Sequence, residues 1–101
     1  MFAVVDHGAA AQKADLNLDD TQVILFGNPA VGTLLMQSCR PIALDLPLKL
    51  LVYREGPFTH IQYRLLSSQA DEYGFDPNMP IVQKLDRFIT TLAQSAADNN
   101  H

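Results

Sequence analysis

The sequence predicts an α+β domain of two layers, a mixed sheet of about four strands with helices packed on one face. Three observations predict it. Apolar runs such as Val23–Phe26 and Leu50–Tyr53 are strand-length. Near the end of the chain Ile81, Leu85, Phe88, Ile89, Leu92 and Ala96 recur at helical spacing, with Lys84, Asp86, Arg87 and Gln94 between them. Between these signals the elements alternate as β-α-β-α-β-β-α-α, and strands separated by helical pieces point to parallel or mixed pairing.

The first strand is read at Phe2–Val5, a continuous apolar run suited to burial on both faces. After Asp6-His7-Gly8, the alanine-rich stretch Ala9–Ala14 favours a short helix, and Leu16–Thr21 reads as a connector. Gly27 stops the second strand. Asn28-Pro29 then opens a helix that carries Val31, Leu34, Leu35 and Met36, because Asn caps well and Pro at the first helical position forfeits no needed donor. Pro41–Pro47 is a Pro-bracketed, single-turn or irregular piece. Leu48–Arg54 and Thr59–Leu65, joined by Glu55-Gly56-Pro57, read as an antiparallel hairpin. Ser68 and Asp71 have capping-box spacing for a short helix through Tyr73, with Gly74 as its stop. Pro80 suits the start of the last helix, and residues 97–101 read as a frayed tail.

Composition narrows the function. A chain of 101 residues forms one domain and buries roughly two-thirds of its unfolded surface. Apolar residues make up 48% and charged residues 18%, too apolar for a disordered chain. No apolar run approaches the roughly 20 residues a membrane span requires, and no signal peptide is visible, so the reading is soluble and cytoplasmic. The net charge is −4, and the basic residues Lys13, Arg40, Lys49, Arg54, Arg64, Lys84 and Arg87 are scattered singly. Nucleic-acid binding needs a clustered positive surface, which excludes it here. One cysteine, Cys39, allows no internal disulfide and no multi-thiolate metal site. Neither a metal nor a cofactor is expected, since His7, His60 and His101 offer no ligand pair at helical spacing.

Chemistry-bearing residues are few. Gly27 to Thr33 has phosphate-loop spacing, but Thr33 stands where the lysine belongs and Pro29 removes a backbone donor. Asn28 therefore reads as a cap rather than an anion ligand. Asp6 and His7 end the first strand, and ligands of open α/β sheets sit beyond strand carboxyl ends. If the first two strands are parallel neighbours, Asp6, His7 and Asn28 gather at one rim with Asp45 nearby, a candidate site for a small anion or metabolite. The plainer expectation is that Asp6 caps the alanine-rich helix and His7 bonds a backbone carbonyl. Cys39 reads as a small buried hydrophobe. Asp19-Asp20 reads as a turn, and His60 as solvated on the hairpin's polar face.

The segments Val4-Val5-Asp6-His7-Gly8-Ala9-Ala10, Val23-Ile24-Leu25-Phe26-Gly27-Asn28-Pro29, Gly32-Thr33-Leu34-Leu35-Met36-Gln37 and Ala43-Leu44-Asp45-Leu46-Pro47-Leu48-Lys49 resemble the bacterial and archaeal domain of unknown function 302 family. They occur in that family's order over roughly residues 2 to 73. The resemblance implies a compact α/β domain that readily forms dimers, and it implies no activity. It also implies an additional strand and helix ahead of the first strand, whereas this sequence starts almost on that strand, and an Asn-Asp-Pro-like helix start where Leu65-Leu66-Ser67-Ser68 stands. An uncovered apolar sheet pattern then calls for a partner. The expectation is a homodimerising, non-enzymatic binding or interaction module; the alternative is a small enzyme or sensor acting at Asp6, His7, Asn28 and Asp45.

Overall fold

A computed structural model describes residues 2–27 and 29–98. The chain runs β1 (Phe2–Asp6), α1 (His7–Lys13), β2 (Thr21–Phe26), α2 (Pro29–Ser38), a 3-10 segment (Arg40–Asp45), β3 (Leu48–Glu55), β4 (Phe58–Tyr63), a 3-10 turn (Leu66–Gln69), α3 (Ala70–Tyr73) and α4 (Pro80–Asp98). This is the α+β class and the element order expected. The last helix continues through Asp98, further than the tail reading allowed, and residues 99–101 lie outside the described residues.

The pairing differs from expectation. The sheet follows chain order, β1-β2-β3-β4, and every neighbouring pair is antiparallel, so it is not mixed. The reason lies in α1. A helix that crosses over a sheet must bury an apolar stripe on it, whereas His7–Lys13 offers only alanines and buries only Gly8. The helix also stops abruptly. Asp15 takes a left-handed φ of 60°, and the Leu16 N–H returns to the Ala11 carbonyl at 2.9 Å, a helix stop usually made by glycine. The chain is thus turned back beside the end of β1 at which it left, and Asp6 pairs with Gln22.

One face of the sheet builds the core. Cross-strand partners share a face in an antiparallel sheet, so the rows Phe26–Leu48 and Val4–Ile24–Leu50–Tyr63 point the same way. Against this face α4 lays Ile89 and Ala93, both buried, with Leu92 partly buried. A second cluster joins Leu35 of α2, Ile42 of the 3-10 segment, Leu66, Ala70, Phe75 and Val82 of α4. Leu46 and Leu85 touch both clusters and make one continuous interior. The buried stripe of α4 is therefore Val82, Leu85, Ile89 and Ala93. Phe88, expected in that stripe, lies at its margin with 48% exposure, edge-on to Phe26 at 6.3 Å between centroids.

The short helix after β4 is anchored otherwise than its sequence suggests. Ser68 does not cap it; its hydroxyl donates to the Leu65 carbonyl, and Gln69 precedes α3 without a side-chain cap. The Ser67 N–H instead donates to Asp86 of α4 at 3.2 Å, tying this turn to the long helix. Gly74 ends α3 in the left-handed region at φ 78°, as expected.

Candidate functional site

Of the four polar residues expected at one rim, the antiparallel register separates Asp6 and His7 from Asp45. Asp6 and His7 end β1 beside Gln22, at one end of the sheet. Asp45 lies just before β3, whose Leu48 pairs with Phe26, which in turn faces Phe2. These ends are about four residues apart along the strands, on the order of 13 Å. Asn28 lies outside the described residues; its neighbour Gly27 follows Phe26 at the Asp45 end. The parallel arrangement that would have gathered the cluster is absent.

Asp6 and Asp45 each have a local task. Asp6 Oδ1 accepts from the Ala9 N–H at 2.9 Å, the N-cap of α1, while Oδ2 accepts from Gln22 Nε2 at 3.2 Å. His7 is exposed on the first turn of α1. Replacing Asp6 with Ala frees one orphan N–H and one amide, and is expected to cost about 1 kcal/mol in urea unfolding. A loss below about 0.3 kcal/mol would show that the cap contributes nothing.

Asp45 accepts a hydrogen bond from the Tyr73 hydroxyl, linking the 3-10 segment to α3. Beside it the Cys39 thiol, half-buried as a small hydrophobe, donates to the Tyr73 carbonyl at 3.2 Å. The hydrogen bond to Asp45, then burial, then the negative charge of Asp45 push the Tyr73 phenol up to about 12. Because the folded value exceeds the usual 10.0, the contribution is complete below pH 10.0 and is lost as pH rises through about 12. Ultraviolet titration should find one late-ionising tyrosine, and Asp45→Asn should bring it down toward 10.0. An unchanged titration in that variant would contradict the pairing.

Two polar expectations change in detail. His60 is half-buried and stacked on Tyr53, with 4.8 Å between centroids and 17° between planes, and Gln62 Nε2 donates to the Tyr53 hydroxyl at 3.1 Å. Asp19 and Asp20 form the connector before β2. The Asp19 carbonyl accepts from the Thr21 hydroxyl, and the Asp20 carbonyl accepts from the Arg54 N–H.

What the sequence did not disclose is an apolar cleft of about 630 Å³. Pro29, Val31, Gly32 and Met36 of α2 form one wall, and Lys84, Leu85 and Phe88 of α4 the other. Its floor is the end of β2 (Phe26, Gly27), the 3-10 segment and the link after it (Ala43, Leu46, Pro47), and the start of β3 (Leu48). Gly27 packs tightly there, since a Cβ on it would come within 3.3 Å of Pro47 Cβ. Phe88 of this wall reads in the sequence as part of the buried stripe, so no sequence signal sets it apart.

A second exposed feature is β1. Val4 is 57% exposed on the core-forming face and Val5 44% exposed on the other, where Val23, Leu25 and Leu51 are only half-buried. β1 ends the strand order, so among the described residues its outer edge has no partner.

An antiparallel four-stranded sheet backed by a long amphipathic helix, with an apolar cleft beside that helix, defines a small α+β domain. The chain belongs to the family described as Domain of unknown function DUF302, whose model matches residues 1–92. Over 56 residues it is 52% identical to the "Fluoride-specific ion channel FluC 1" of Brucella suis biovar 1, a match covering 55% of this chain and 22% of that protein. The "Fluoride-specific ion channel FluC 2" of Brucella melitensis biotype 1 matches at 52% over 56 residues, 55% of this chain and 21% of that one. The match thus spans about a fifth of the length of these relatives. Among the described residues, no helix is long and apolar enough to cross a membrane.

Proposed function

We propose that this domain is a cytoplasmic, non-enzymatic interaction module that works as a homodimer, formed by pairing through β1. The observation that carries this reading is the strand itself, with Val4 and Val5 exposed on its two faces and its outer edge unpaired among the described residues. Proteins blunt such edges with charge, proline or a covering element, because unpaired N–H and C=O groups template further pairing. The one charge of β1 is Asp6 at its end, where the carboxylate caps α1, and Ala3 to Val5 carry none. Two copies meeting antiparallel about a two-fold axis continue the sheet and cover Val4 and Val5 together. Light scattering after size exclusion at micromolar concentration should give the dimer mass; a monomer up to millimolar concentration would remove the reading.

The match to segments of proteins named as fluoride channels supports a second reading, in which the same module serves as an attachment to a larger assembly. Co-expression with such a channel, followed by detergent extraction and affinity purification of the channel, tests it. Retention of the domain supports the attachment, and its complete loss in the first wash contradicts it.

A further inference from the structure

We propose that the cleft between α2 and α4 is a binding site for a single-chain amphipathic carboxylate, its unbranched apolar body lying in the cleft and its head paired with Lys84. The cleft's volume of about 630 Å³ falls within the 300–1,000 Å³ span of small-molecule pockets, which are mostly apolar with a few placed polar groups. Phe26, Met36, Leu46, Leu85 and Phe88 supply the apolar surface, and the unbranched thioether of Met36 adapts to a flexible chain.

The head group follows from charge. Lys84 is the one charged side chain among the described lining residues, in a chain whose net charge is −4. Its position on α4 leaves it without a helical partner: the residues three and four places away are Ile81, Pro80, Arg87 and Phe88, none of them acidic. The nearest carboxylate in sequence, Asp86, is committed to the Ser67 N–H. Lysine at a cleft rim lays its methylenes along the apolar wall and holds its ammonium in water, where a carboxylate can meet it without being desolvated. Arg87, one helical turn along, adds positive charge on the same helix. A neutral alcohol gains the burial without the pairing, and a quaternary ammonium of equal length meets repulsion.

The site is independent of β1, none of whose described residues lines the cleft. Calorimetric titration of the full chain with dodecanoate below its micellar range tests the proposal, with butanoate, dodecanol and dodecyltrimethylammonium as comparisons. Dodecanoate should bind saturably, one per chain, and move the Met36 methyl and Phe88 ring resonances. Butanoate should not bind measurably. Lys84→Gln, on an exposed side chain, should fold as the wild type and bind dodecanoate about 5-fold more weakly. Lys84→Glu should weaken it further and improve binding of the ammonium amphiphile. Four results would overturn the proposal: no saturable binding of dodecanoate, equal binding of the ammonium amphiphile by the wild type, resonance changes at Val23 and Leu51 rather than Met36, or Met36 shifts on dilution without ligand. The last would mean that a second copy of the chain fills the cleft.

Discussion

Ile89→Ala should cost about 3 kcal/mol and lower the melting temperature by roughly 15 °C. Ile89 is fully buried and is the residue of α4 that sits between Phe26, Leu48 and Leu50 of the sheet and Ala93 of its own helix. Truncation removes three carbons from a site whose strand wall is hydrogen-bonded on both sides and cannot collapse inward, so the cavity persists. Thr91→Ala, two residues along and exposed, should stay within about 0.5 kcal/mol of the wild type. Urea unfolding of both variants checks the pair. Similar losses for the two, or a loss below about 1 kcal/mol at Ile89, would mean that α4 does not lie on the sheet as described.

Val4→Lys should weaken the proposed homodimer about 100-fold while leaving the monomer's stability nearly unchanged. Val4 is 57% exposed, so a lysine there meets solvent in the isolated chain. In a two-fold dimer each substitution is counted twice, and placing like charges across the new strand pair costs about 3 kcal/mol per dimer. Val5→Lys, from the opposite face of the same strand, should behave alike if β1 is the seam. Sedimentation equilibrium measures both. Weakening by Val5→Lys alone would place the contact on the outer sheet face rather than along the strand edge, and no weakening by either would place it elsewhere.

Element identity was legible because local signals agreed with the final packing. Pro29 and Pro80 start their helices, Gly74 ends α3, and the hairpin turns at Glu55-Gly56-Pro57. Strand direction was not legible. The alternation of strands and helices suggested crossovers, yet whether α1 crosses a face depends on what it can bury, and an all-alanine stripe buries too little. The antiparallel pairing also disperses the candidate polar site, since Asp6 and the Gly27 turn share a rim only in a parallel pair. Asp6 as a cap was legible from Asp-x-x-Ala at a helix start; the bond from Gln22 was not, because it depends on register sixteen residues away. The cleft was invisible for a similar reason: its walls come from four segments, and Phe88 reads as part of the buried stripe.

The proposed homodimer requires the outer edge of β1 to be free in the single chain and closed by a second copy. Hydrogen exchange followed by mass spectrometry, on the full chain from low micromolar to millimolar concentration, tests this most directly. The outward-pointing amides of residues 2–6 should gain protection as concentration rises, while those of α1 stay unchanged. Exchange of that peptide at one rate throughout the range would contradict the pairing.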